Sequence, residues 1–74
     1  MEEIIVVGLL SKILNQYVIT TDEEVEYKLS AILPWEAVSA DYGTEEFELH
    51  LGKHLTVKGL SDGYTIYRAS VLKS

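Results

Sequence analysis

The chain contains no cysteine, so it can carry neither a disulfide framework nor a thiolate metal site. That lack fits a reducing compartment, and a cytoplasmic location is the expectation. No stretch approaches the roughly 18 apolar residues that a membrane-spanning helix needs. The most apolar run, Ile4 to Leu10, follows Glu2 and Glu3, whereas a secretory signal opens with basic residues and carries a longer apolar core. Basic residues are scarce: six Lys and Arg face twelve Asp and Glu, for a formal net charge of −6. Affinity for nucleic acid draws heavily on Lys and Arg neutralising phosphates. The overall field therefore opposes nucleic acid and, for the same reason, an anionic membrane surface. Hydrophobic residues, by contrast, make up 47% of the chain, which places it among folded domains rather than disordered ones. Residues 1–74 read as one domain. A chain of this size buries only about 60% of the surface its unfolded form exposes, so its stability is expected to be modest.

Ile4-Ile5-Val6-Val7 is β-branched throughout, which favours a strand. Gly8 interrupts the same apolar run, as at a bulge or sharp bend, and Leu9-Leu10 continue the strand. Ser11 to Asn15 reads as a loop. Gln16 to Thr20 and Val25 to Leu29 are the next two strands, joined across the charged turn Asp22-Glu23-Glu24. The second of them alternates apolar and charged residues, the period of two of a half-buried strand. Tyr17 and Ile19 are expected to share a core with Val25, Tyr27 and Leu29. Pro34 breaks regular structure, and Asp41-Tyr42-Gly43 reads as a turn. Thr44 is placed to cap a short helix, and Thr44-Glu45-Glu46-Phe47 nearly matches a capping box. Phe47 and Leu51 fall on one helical face, with Gly52 as a left-handed terminator. His54 to Leu60 alternates as a fourth strand, with Leu55 and Val57 on one face. Asp62-Gly63 is a hairpin turn, and Tyr64 to Leu72 is the fifth strand. There Tyr67, Ala69 and Val71 align but Ile66 does not, which requires a bulge or bend.

The order is three strands, a short helix and two strands. The runs Val7-Gly8-Leu9-Leu10, Gln16-Tyr17-Val18-Ile19 and Tyr27-Lys28-Leu29 resemble the front half of many small OB-fold domains. Leu51 to Leu60, with its Leu-Gly-Lys helix end and a strand ending at Gly59, resembles the back half. The resemblance covers all but Ala31 to Tyr42 and implies an all-β domain with one short helix, a small five-stranded Greek-key barrel. An SH3-like barrel is the alternative. A bend at Gly8 suits a first strand that serves both sides of a small barrel. The resemblance also implies a place for ligands, the face of strands two and three with its flanking loops. The outward residues there would be Val18, Thr20, Glu26 and Lys28, flanked by Lys12 and Asn15 on one side and Ser61-Asp62-Gly63 on the other. None of those four outward residues is aromatic and one is basic, a departure from the aromatic, basic groove of single-strand binders.

Other features have plain readings. His50 and His54 are four apart, but Gly52 lies between them, and a zinc site would need further ligands. Both therefore read as surface histidines. Asp41, Glu45, Glu46 and Glu48 match no calcium loop and suit the start of a helix. The five tyrosines suit barrel strands, with rings inside and hydroxyls at the rim. Trp35, beside Pro34, reads either as a core or loop plug or as an exposed anchor of the kind common at interaction hot spots; the plug is the leading reading. No serine sits in a nucleophile elbow and no glycine loop cradles phosphate.

The expected function is a non-catalytic interaction module, requiring no cofactor and no metal, that binds another protein or itself. An apolar first strand presenting an edge would serve that end. Single-stranded nucleic-acid binding on the strand 2–3 face is one alternative, requiring Lys12, Lys28, Lys53, Lys58 and Arg68 to gather on one side. A carbohydrate or small-ligand site at the barrel mouth is another. Candidate binding residues are Lys12, Val18, Thr20, Glu26, Lys28, Trp35 and Asp62.

Overall fold

The computed structural model describes residues 1–37 and 43–73. Five strands form a single sheet: β1 (Glu2–Ile13), β2 (Gln16–Thr21), β3 (Glu26–Leu29), β4 (His54–Ser61) and β5 (Thr65–Lys73). One short helix, α1 (Glu45–Leu49), lies between β3 and β4. The sheet closes into a ring in the order β1-β2-β3-β5-β4, with β4 returning to β1. All neighbours are antiparallel except β3 and β5, which run parallel over Lys28–Thr65 and Leu29–Ile66. Among the described residues no helix is long and apolar enough to cross a membrane.

The first strand does what its glycine allows. Its front half, Glu2 to Leu9, pairs with β4, and its back half, Gly8 to Ile13, pairs with β2. Gly8 is the handover point, opposite both Thr21 and Leu55. A Cβ built on Gly8 would lie 2.2 Å from the carbonyl oxygen of Thr20, so only glycine lets the two backbones come this close. The strand is thus no simple edge, because its backbone is engaged along its whole length on one side or the other. It also runs further than the sequence indicates. Ser11, Lys12 and Ile13 pair with Val18, Tyr17 and Gln16, and the expected five-residue loop shrinks to Leu14 and Asn15. Both have positive φ, 50° and 67°, the left-handed pair of a two-residue hairpin whose twist matches the strands it joins.

The inward faces supply the core. Leu10, Ile19, Leu29, Leu55, Val57, Ile66 and Ala69 are buried together with Phe47 from α1. Tyr17 and Tyr27 pack against this cluster as expected, but Val25 precedes β3 and is exposed. The expected irregularity in β5 lies at Arg68, where φ is +52°. The register shifts from Lys58–Ser70 to Leu60–Tyr67, so the bulge lets both Ile66 and Ala69 point inward. Gly59 makes room opposite it, since a Cβ there would come within 2.5 Å of the Ile66 side chain.

The helix closes one end of the ring. It is one turn long, too short to persist alone, and it is held by burial of Phe47 and by polar ties. Glu46 Oε1 accepts from the Val71 backbone N–H at 2.8 Å, covering a free position on β5. Thr44 makes no side-chain cap hydrogen bond to the helix. Gly52 is left-handed, φ +81°, yet it lies beyond the helix end at His50. Its N–H bonds to Leu10 O at 2.9 Å, tying the connection to β1. The expected turn at Asp41-Tyr42-Gly43 and the acid Asp41 fall, apart from Gly43, outside the described residues.

Candidate functional site

The outer face of β2 and β3 holds a groove of about 460 Å³. Strand alternation builds it: Ile19, Tyr17 and Leu29 turn inward, which sends Val18, Glu26 and Lys28 outward. Val18 forms the floor. It is only 7% exposed but stands outside the core cluster, so neighbours on the outer face cover it. Lys28 sits directly across from it in the β2–β3 register, and Thr20 pairs with Glu26 on the same face. Ile13 and Leu14 form one wall, from the β1–β2 hairpin, and Tyr64 forms the other, from the β4–β5 connection. Leu14 is 92% exposed and Tyr64 79%.

Asp62 shapes that second wall without lining the groove. Its Oδ1 accepts from the backbone N–H groups of Tyr64 and Thr65, both at 2.9 Å. These bonds hold the Asp62 carboxyl below its usual range, first through Tyr64 and then through Thr65. Ser61 Oγ accepts from Gly63 N–H at 2.9 Å, and Gly63 takes φ +103°. The turn predicted at Asp62-Gly63 is thereby locked, and it presents the Tyr64 ring.

Two further candidates, Lys12 and Trp35, stand elsewhere. Lys12 pairs in register with Tyr17, on the opposite side of the β1–β2 ribbon from Val18. There its Nζ lies 3.4 Å from Glu48 Oε2 and 5.2 Å from the Tyr17 ring centre, and Glu48 also accepts from the Tyr17 hydroxyl. Trp35 follows Pro34 in a turn closed by Glu36 N–H to Leu33 O at 3.1 Å. It is 69% exposed, an outward side chain and not the plug of the leading sequence reading, and it does not line the groove. The two histidines part company. His50 Nδ1 lies 2.7 Å from Glu46 O, and His54 Nε2 lies 3.2 Å from Asp22 Oδ1.

The cations do not gather. Lys12, Lys58 and Arg68 each face a carboxylate, from Glu48, Glu3 and Glu36 respectively. Among the described residues Lys28 and Lys53 have no ion-pair partner, and Lys28 is the groove's sole cation beside Glu26.

Val18, Glu26 and Lys28 of the sequence reading lie along the groove, and its walls, Ile13, Leu14 and Tyr64, are not among the residues expected there. Ile13 and Leu14 were hidden by reading Ser11 to Asn15 as a loop, and Tyr64 was grouped with core tyrosines. The available signal was Leu14 itself, an aliphatic residue where a hairpin turn favours Asn, Asp or Gly. No protein-family model, curated protein or solved structure matches the chain.

The Lys12–Tyr17–Glu48 tie responds to pH. The Tyr17 hydroxyl, and after it Lys12, hold the Glu48 carboxyl below its ordinary value of 4.5. A carboxylate whose folded pKa is depressed stabilises the fold above its unfolded pKa, and that contribution is lost as pH falls through the folded value. Glu48 also raises both partners, Tyr17 and Lys12, chiefly by hydrogen bonding. Their contribution is present at neutral pH and lost as pH rises through their raised values. NMR shifts of the Phe47 ring, one residue from Glu48, are expected to titrate with an acid midpoint below 4.5. In Tyr17→Phe that midpoint should rise, because the main hydrogen-bond donor is gone. An unchanged midpoint in the variant would show that the hydroxyl does not hold the carboxylate.

Proposed function

We propose that the chain is an OB-like barrel whose outer β2–β3 face binds an extended, apolar segment of a partner protein. The strand order, the helix between β3 and β4 and the bend at Gly8 support the OB-like over the SH3-like arrangement. The observation that carries the binding reading is Leu14. A leucine with φ +50° costs roughly 1–2 kcal/mol relative to a residue at ease in the left-handed region. It also holds a large apolar side chain in water. Folding alone favours Asn here, and strain kept at an exposed apolar residue is a mark of function. The groove continues into apolar surface along β1, where Ile5, Val7 and Leu9 also face outward and are exposed. Such contiguous apolar surface is typical of protein interfaces. Self-assembly through β1 would use these side chains rather than a free backbone edge. The paired cations and the single lysine of the groove weigh against single-stranded nucleic acid.

Leu14→Asn separates folding from binding. The variant is expected to gain about 1 kcal/mol of stability, through relief of turn strain. Peptides selected from a random displayed library on the wild-type domain should bind it at least about tenfold more weakly. Their NMR footprint should fall on Ile13, Leu14, Val18 and Tyr64. Selected peptides that bind the variant equally well would refute the groove. A mixed single-stranded oligonucleotide at low salt, where electrostatic attraction is strongest, is expected to leave Leu14, Val18 and Tyr64 unmoved; clustered shifts there would transfer the groove to nucleic acid.

A further inference from the structure

Trp35 is the chain's one tryptophan, and it stands 69% exposed on a turn that is held from both sides. Ser30 Oγ donates to Ile32 O at 3.0 Å and accepts from Ile32 N–H at 3.3 Å. Glu36 Oε1 accepts from Leu33 N–H at 2.6 Å, and Glu36 N–H donates to Leu33 O at 3.1 Å. Arg68 Nε lies 3.8 Å from the same Glu36 oxygen, and Arg68 N–H donates to Ile32 O at 3.4 Å. These ties fasten the turn to the bulge of β5, so the exposed indole rides on a fixed backbone. A side chain presented this way has little ordering cost left when it docks, and tryptophan is among the residues that most often anchor an interface.

The groove on the outer β2–β3 face offers what such an anchor needs. Ile13, Leu14 and Val18 give it apolar surface, and Tyr64 closes its far side. Lys28 turns outward into it across from Val18 and has no ion-pair partner among the described residues. An ammonium so placed is electrostatically complementary to the face of an aromatic ring, and indole is the best of these. Trp35 of the same chain does not line the groove. We propose that the groove's occupant is a second copy of this chain, with Trp35 of one copy seated between Leu14 and Tyr64 of the next and its ring against Lys28. This inference rests on the groove reading above and names its partner. The contact is heterologous, since anchor and groove are different surfaces of one molecule. Lys28 and Glu26 cancel inside the groove, so the repulsion between chains of net charge −6 acts from outside the contact, where physiological salt screens it beyond about 8 Å.

The test is sedimentation velocity with tryptophan fluorescence, over concentrations up to about 1 mM at physiological ionic strength. The weight-average mass is expected to rise with concentration above that of one chain, and the Trp35 emission to shift to shorter wavelength in parallel. Trp35→Ala, which removes the anchor, and Leu14→Asn, which alters the groove wall, should each weaken self-association at least about tenfold. Lys28→Gln should weaken it about threefold or more. Mixed together, Trp35→Ala and Leu14→Asn should pair as one of each, because the first keeps a groove and the second an anchor. Only the second contains a tryptophan, so its shift reports the docking. Trp35→Ala should still bind the peptides selected on the groove, and those peptides should dissociate the wild-type assembly. A chain that stays monomeric while selected peptides bind the groove overturns the second copy as occupant and leaves the groove to a different protein. Monomers together with failure of the selected peptides overturn both readings. The proposal is equally overturned by any of the three variants associating as wild type, by an assembly whose Trp35 emission does not shift, or by a mixture that stays apart.

Discussion

Gly8→Ala is expected to leave no folded population. The new methyl would lie 2.2 Å from Thr20 O, 2.6 Å from Thr20 C and 3.0 Å from Thr21 Cα. All three are backbone atoms of the neighbouring strand, so no side-chain rotation relieves the overlap. Nor can β1 back away. Gly8 pairs with Thr21 on one side and Leu55 on the other, and separating from β2 means crowding β4. A domain of this size has a total stability on the order of 4–11 kcal/mol. Overpacking with flexible neighbours costs about 1–3 kcal/mol, and a clash between two fixed backbones exceeds that range. Gly63→Ala is the control. It shares the glycine-to-alanine change but has open space around the site and carries only the strain of φ +103°. Circular dichroism and amide dispersion should show Gly63→Ala folded and Gly8→Ala unfolded. A cooperative melt of Gly8→Ala within about 5 °C of wild type, a difference of roughly 1 kcal/mol, would mean that the strands do not approach this closely.

Gly8 also marks what could be read without coordinates. A glycine inside a β-branched run has few explanations, and Asp62-Gly63 and the mismatched Ile66 were equally explicit about a turn and a bulge. The alternation of Val18, Glu26 and Lys28 gave the outward face of β2 and β3, because a period of two needs no knowledge of neighbours. The remainder of the site depends on chain segments remote in sequence. Tyr64 looks like any strand tyrosine until the β4–β5 turn is placed beside β2. Lys12 lies in the same hairpin as Val18 but on the opposite side, and the extra length of β1 that decides this was concealed by the unusual Leu14-Asn15 turn. Thr44 illustrates the same limit. Its spacing to Glu45-Glu46 satisfies the capping rule locally, yet its side chain makes no cap hydrogen bond. Local patterns report the backbone well and report side-chain partners poorly wherever a tertiary partner competes.

Phe47→Ala is expected to bring the domain close to its unfolding threshold and to separate the α1 end of the ring from the groove. Phe47 is the chain's one phenylalanine, 1% exposed, and its removal from a packed core costs about 3–5 kcal/mol. Against a total of about 4–11 kcal/mol, that loss should lower the denaturation midpoint by roughly a quarter or more. The helix that carries it is a single turn and cannot stand alone, so α1 should detach before the strands part. Glu48 would leave with it, freeing the Tyr17 hydroxyl and the Lys12 ammonium. The Lys12–Tyr17–Glu48 tie is then lost, whereas the groove rests on β1, β2, β3 and the β4–β5 turn and keeps its supports. Phe47→Leu, which retains much of the buried volume at a cost of about 1–2 kcal/mol, serves where the alanine variant does not fold. In either folded variant the acid titration of the Lys12–Tyr17–Glu48 tie should change more than peptide binding at Leu14 and Tyr64. The opposite order, with the groove failing first while the tie persists, would show that α1 supports the outer face rather than one end of the ring.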